Sequence, residues 1–274
     1  MSGLAVLFGA VVGFALGLTG GGGGVFAVPL LVYGLGVPPR EAVGISLAAV
    51  GGTALFGVVP RLFRRDVELR TGLLFAIAGM TGAPVGSYLS TLIPETVLLV
   101  MFGLLMLVVA WRMWAKARHP QLATGLCVTE STPDKDRSAC QRDQDGTLRL
   151  TSKCARLLVM VGLLTGLLSG MFGVGGGFVI VPALVLFSGM PIHRAVGTSL
   201  LAIFLISISG VTSYVAAGRQ LSFDTTWQFL LGGLPGIWSG SMVAGHLKGP
   251  TLQKVFATAV VLVAIFVIAR SVAG

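Results

Sequence analysis

The chain has 274 residues, of which 54% are hydrophobic and 11% charged, and its mean hydropathy is +0.92. That balance excludes a soluble domain able to hide its apolar surface and places the chain in a membrane. The formal charge of +9 does not mark a nucleic-acid partner, because Arg61, Arg64, Arg65 and Arg70 cluster in one stretch between apolar runs and nine more Lys or Arg lie from Arg112 to Arg156. Both stretches are expected in the cytoplasm by the positive-inside pattern.

In chain order, the start Met1-Ser2-Gly3 carries no Lys or Arg ahead of its apolar stretch, so it lacks the n-region of a cleaved signal and is expected to be retained. Charge-free runs follow at 1–39, 42–60, 71–94, 96–111, 157–193, 195–218, 225–247 and 255–269. Since roughly 20 apolar residues cross a bilayer, an all-α polytopic protein of about eight transmembrane segments is expected. The first and fifth runs are nearly twice one span, and each contains a glycine cluster: Gly20 to Gly24, and Gly175 to Gly177 with Gly173 just before. Between the fourth and fifth runs, residues 117–153 form a polar linker rich in Ser, Thr, Asp and Gln. Its Cys127 and Cys140, with Cys154 just beyond, match no zinc spacing and are expected as reduced thiols in a cytoplasmic loop.

The chain repeats itself. With Pro29 set on Pro182, Gly22-Gly23-Gly24 fall on Gly175-Gly176-Gly177, Ala42-Val43-Gly44 on Ala195-Val196-Gly197, and Ser46-Leu47 on Ser199-Leu200, without a gap. One inserted residue later, Gly79, Gly82, Gly86 and Ser87 match Gly233, Gly236, Gly240 and Ser241. Two homologous four-segment halves are therefore expected, 1–116 and 154–274, joined by the linker 117–153. Re-entrant hairpins would make the halves inverted and single broken crossings would make them parallel; a charge-free run of 37 to 39 residues is long for one crossing, which favours the former.

Glycine-interrupted segments at matching places in two halves point to the binding site of a secondary transporter. Unwound backbone at membrane depth must lie inside protein or against a water-filled cavity, because lipid cannot satisfy its amides. Val25 to Tyr33 is expected as a short helix opening on the first break, and Phe178 to Phe187 as its counterpart; helix N-termini attract anions. The scattered Gly9, Gly13, Gly79, Gly86, Gly162 and Gly240 are expected instead to permit close helix packing. A nucleotide-binding glycine loop is excluded by the absence of a following Lys-Ser/Thr.

The candidate anion ligands are the backbone N–H groups of Gly21, Gly22, Gly23, Gly24, Gly175, Gly176 and Gly177, with the hydroxyls of Thr19, Ser46, Ser169, Thr198 and Ser199. For Ser46 and Ser199 the competing reading is a hydroxyl bonded to its own helix one turn back. Arg40 and Arg194 are candidates for steering anions, against snorkelling at the interface. His193 and His246 sit at segment ends and no histidine pairs with another ligand at helical spacing, so neither an enzyme, a metal site nor a cofactor is expected.

The paired signature G-x-G-G-G-x-x-x-V-P followed by A-V-G-T-S-L resembles the sulfite exporter TauE/SafE family of membrane permeases, also called the TSUP family. It reads Gly173-Val174-Gly175-Gly176-Gly177 with Val181-Pro182, then Ala195 to Leu200; the first copy carries Gly21 and Ile45 in place of Val174 and Thr198. The resemblance implies export of small sulfur-containing anions, such as sulfite, sulfonates or sulfoacetate, across the cytoplasmic (inner) membrane of a bacterium. The alternative reading is an anion channel or a membrane-bound sulfur sensor that uses the cysteine-containing loop.

Overall fold

The computed structural model describes residues 2–64, 66–118, 141–142, 148–149, 152–188, 190, 192–219, 221–244, 258, 260–267 and 269–270. Apart from a two-residue antiparallel pair, β1 (Gln141–Arg142) with β2 (Leu148–Arg149), the described elements are helices. They are α1 (Ser2–Thr19), α2 (Gly24–Pro29), a π-helical segment Leu30–Gly34, α3 (Pro39–Phe63), α4 (Leu69–Leu92) and α5 (Glu95–Arg118). After β2 come α6 (Ser152–Phe172), α7 (Gly177–Ser188), α8 (Ile192–Ala216) and α9 (Phe223–Ala244). Residues 260–267 are helical as well.

Pro39–Phe63, Leu69–Leu92, Cys154–Phe172 and His193–Ala216 are long and apolar enough to cross a membrane, and Gly3–Thr19, Gly24–Gly34 and Glu95–Val108 are shorter apolar helices. Leu7, Ile77, Met160, Leu164, Trp238 and Leu262 lie exposed on the outside of the bundle. So apolar an exterior suits hydrocarbon rather than water. The chain is a multi-pass membrane protein.

Glycine decides which helices touch. A methyl group at Gly9 would meet the backbone of Phe229, one at Gly13 would lie 2.8 Å from the Gly233 Cα, and one at Gly17 would meet the Ile237 carbonyl. α1 and α9 therefore lie parallel with their backbones in contact, as small-residue packing allows. α4 and α6 do the same: Gly162 lies against Phe75, Gly166 against Gly79 and Gly170 against Ala83. The packing role expected for the scattered glycines is what these contacts display.

The same contacts give helix directions. α3 runs antiparallel to α8, with Gly51 on Ser207 and Gly57 on Leu200. It runs parallel to α9, with Gly52 on Leu230 and Gly57 on Ile237, while α4 runs parallel to α8, with Gly72 on Thr198 and Gly79 on Ile206. Hence α1, α3 and α9 point one way and α4, α6 and α8 the other. The two helices that precede the glycine clusters, α1 and α6, are antiparallel to each other.

After α1 the chain folds back on itself: a methyl at Gly23 would lie 2.8 Å from the Ala15 carbonyl carbon, and one at Gly34 would strike the Phe8 ring. Gly36, with φ of 70°, then turns the chain into α3, where Pro39 takes the first helical position and Glu41 the first turn. At this end of the bundle, called the Glu41 end below, the Ser222 hydroxyl donates to Glu41 and the Arg219 guanidinium to the Ser87 carbonyl. At the opposite, Arg194 end, the Glu68 amide donates to the Thr198 hydroxyl and Gly197 packs on the Asp66 carbonyl.

One expectation fails here. Cys154 is fully buried and disulfide-bonded rather than a reduced thiol. Cys127, Cys140 and His246, and most of the linker, lie outside the described residues.

Candidate functional site

Both glycine clusters are breaks between helices. Gly20 at the first and Gly173, Gly175 and Gly176 at the second have φ between 66° and 73°, the left-handed region that a side chain disfavours. The breaks lie deep in the bundle. Gly173 rests on Val43 and accepts the hydroxyl hydrogen of Ser46, while Gly20 rests on Val196 and accepts that of Ser199. Ser46 and Ser199 each stand seven residues into their helices, about 10 Å from the end.

The breaks also meet each other. A methyl at Gly21 would lie 2.6 Å from the Gly177 Cα, one at Gly177 would meet Gly21 in return, and one at Gly24 would strike the Val174 carbonyl. No side chain fits between these backbones, which is the physical requirement that a contiguous run of glycine meets. Within each break the helical amides find local acceptors: Val25 N bonds Gly22 O and Phe26 N bonds Gly23 O, while Val179 N and Ile180 N both bond Gly176 O.

The hydroxyls divide into two groups. Thr19 donates to the Ala15 carbonyl at 2.7 Å and accepts the Gly22 amide at 2.9 Å, so it caps its own break. Ser46 donates to Gly173 O at 2.6 Å, and Ser199 donates to Gly20 O and to Val196 O. These two serines bind the break of the opposite half of the chain, and only Ser199 also bonds its own helix. Thr198 faces away, accepting from Glu68 N, so it is not brought to the breaks. Ser169 is fully buried beside Gly176, and its hydroxyl has no hydrogen-bond partner. Ser207, absent from the sequence candidates, is 2% exposed, lies beside Gly175 and also lacks a partner. In the sequence alignment that sets Pro29 on Pro182, Ser207 falls on Ala54, a difference that could have singled it out.

The arginines stand away from the breaks. Arg40 Nε lies 3.5 Å from Glu95, and its Nη2 donates to the Thr91 and Ile93 carbonyls, closing the turn between α4 and α5. Arg194 Nη1 lies 4.0 Å from Glu68 at the other end. Among the described residues no three His, Cys, Asp or Glu side chains come together as metal ligands would. A void of about 10 Å³ beside the second break, lined by Val28, Val43, Phe102 and Phe172 among others, is apolar and holds at most one water.

A probable membrane transporter protein of Xylella fastidiosa (strain Temecula1) is 35% identical over 272 residues, covering 96% of this chain and 93% of the relative. The probable membrane transporter protein YunE of Bacillus subtilis is 28% identical over 250 residues, covering 89% of this chain and 87% of its own. A sulfite exporter TauE/SafE family protein 5 of Arabidopsis thaliana is 35% identical over 89 residues, covering 32% of this chain and 19% of its own. No solved structure matches the chain. The profile of the sulfite exporter TauE/SafE family matches residues 5–267, nearly the whole length. The chain belongs to the sulfite exporter TauE/SafE family of membrane transporters.

Proposed function

We propose that this chain is a secondary transporter that exports small sulfur-containing anions, such as sulfite, sulfonates or sulfoacetate, across the cytoplasmic membrane of a bacterium. It is built from two homologous, inverted halves of four segments each, 1–116 and 154–274, with the first segment of each half broken by glycine. The anion is held between the breaks by backbone N–H groups and hydroxyls. The observation that carries this reading is the contact of Gly21 with Gly177, two unwound segments of opposite direction meeting inside the bundle. Inverted repeats with a central site between discontinuous helices are how many secondary transporters bind and release on alternate sides.

The Arg194 end is taken as cytoplasmic, because Arg61, Arg64, Arg70, Arg156 and Arg194 gather there against Arg40, Arg219 and Arg270 at the other. The linker then lies in the cytoplasm, a compartment that keeps thiols reduced. A membrane potential that is negative inside drives an anion outward by about 2.3 kcal/mol per charge per 100 mV, so no proton site is required.

The test is flux of labelled sulfite, sulfoacetate and thiosulfate in proteoliposomes of the purified protein under an imposed potential. Saturable, potential-dependent flux is expected, and Gly23→Leu or Gly176→Leu should abolish it in protein that still inserts. Linear, unsaturable flux would indicate a channel. Wild-type flux in both glycine variants would sink the break site.

A further inference from the structure

The two breaks are not chemically equal. Around the second stand Thr165, Ser169 and Ser207; the matching positions around the first are Val12, Leu16 and Ala54, all buried and apolar. Thr165 donates to the Val161 carbonyl at 2.6 Å, but Ser169 and Ser207 have no partner for their hydroxyls. An unpaired buried hydroxyl is unfavourable, and the first half shows that this architecture accepts alkyl side chains at the same places. Something other than folding accounts for the two serines.

Both hydroxyls border the left-handed glycines that lead into α7. A methyl at Gly175 would stand 3.9 Å from Ser207 Oγ, and one at Gly176 would stand 3.5 Å from Ser169 Cβ. α7 is 12 residues long and begins at Gly177. The amides ahead of Val179 lie in its first turn, where no intrahelical carbonyl reaches them. Two neutral O–H donors and a helix N-terminus are the donor set that a desolvated oxyanion needs, and an oxyanion supplies the acceptors that both serines lack. The Val50 and Ile203 side chains, 3.2 and 3.1 Å from the same Gly175 position, close the site in this structure and must yield on binding.

We infer that the anion site is one-sided: Ser169, Ser207 and the leading amides of α7 bind a small oxyanion, and the first break is the wall against which they close. The inference rests on the transport reading for the identity of the anion, but not for the place where it binds.

The experiment is thermal melting of the purified full-length protein with sulfite, thiosulfate, phosphate or chloride at constant ionic strength, set beside the flux assay. At least one oxyanion, and not chloride, should raise the melting temperature. Ser169→Ala and Ser207→Ala should each weaken its apparent affinity at least tenfold, while the anion-free protein melts at the same temperature or higher. Ala54→Ser, which adds a buried hydroxyl beside the first break, should leave the affinity unchanged and should not raise the melting temperature. The inference is overturned if no oxyanion stabilises the wild type, if chloride does so equally, or if both serine variants keep wild-type affinity. Oxyanion binding lost in the serine variants, with no flux of any sulfur anion in the wild type, would remove the sulfur-anion reading and support the site. Saturable sulfur-anion flux with unchanged affinity in both variants would do the reverse.

Discussion

A glycine in this chain has one of three uses, and each predicts a different cost of substitution. Gly3 lies in the first turn of α1 with open space around it, so Gly3→Ala should stabilise, by less than the roughly 1 kcal/mol of a helix interior. Gly36 also has open space, but its φ of 70° makes Gly36→Ala unfavourable by roughly 1–2 kcal/mol. Gly166 has an ordinary helical backbone, yet a methyl there would lie 2.6 Å from the Gly79 Cα, and prying α4 from α6 should cost at least about 1–3 kcal/mol. Melting temperatures of the three alanine variants should therefore rise, fall slightly and fall most, in that order; any other order contradicts the division. Sequence spacing distinguished the packing glycines from the clusters, because contact between helices requires a residue every turn and not a contiguous run. It did not reveal which hydroxyls were paired. The direction of a serine Oγ depends on the helix opposite, and Ser46 and Ser199 look alike in sequence to any serine bonded to its own turn.

Between elements, the hydroxyls of Ser46 and Ser199 act as crossed clamps: α3 holds the second break through Gly173, and α8 holds the first through Gly20. Removing either leaves a buried carbonyl unpaired, at a cost of about 1–3 kcal/mol. Ser46→Ala and Ser199→Ala should accordingly lower the melting temperature and the maximal flux while leaving anion affinity within about twofold, the opposite pattern to Ser169→Ala and Ser207→Ala. A large loss of affinity in the clamp variants would make them ligands instead. The short helices were legible from the glycine runs, since Val25 to Tyr33 and Phe178 to Phe187 differ by a residue or so at each end from the helical stretches Gly24–Gly34 and Gly177–Ser188. What was not legible is the switch to a π-helix at Leu30. Pro29 lacks the amide that would continue the α-helical ladder, and the wider turn that follows is set by packing on α1, as the contact of Gly34 with Phe8 illustrates.

At the scale of the whole molecule the two sets of segments are interleaved, because α1 packs on α9 and α6 on α4. No contact of this kind is readable from one chain, although the helix directions follow once the glycine pairs are known. The same antiparallel relation of α1 to α6 equates the two ends of the bundle: the segment after α3 covers the start of α8 through Glu68, Thr198 and Arg194, and the segment after α8 covers the start of α3 through Ser222 on Glu41 and the end of α4 through Arg219 on Ser87. In a carrier these covers are gates, and alternating access demands that they open in opposition. Glu68→Gln weakens the pairing with Arg194 at one end, and Ser222→Ala removes the bond to Glu41 at the other. Hydrogen exchange read by peptide should then rise in Glu68→Gln over 66–71 and 193–199 and fall over 39–44 and 217–223, with the reverse in Ser222→Ala. Exchange rising at both ends in either variant would mean that the covers move independently, as in a channel with two separate doors, and the proposal of binding and release on alternate sides would have to be abandoned.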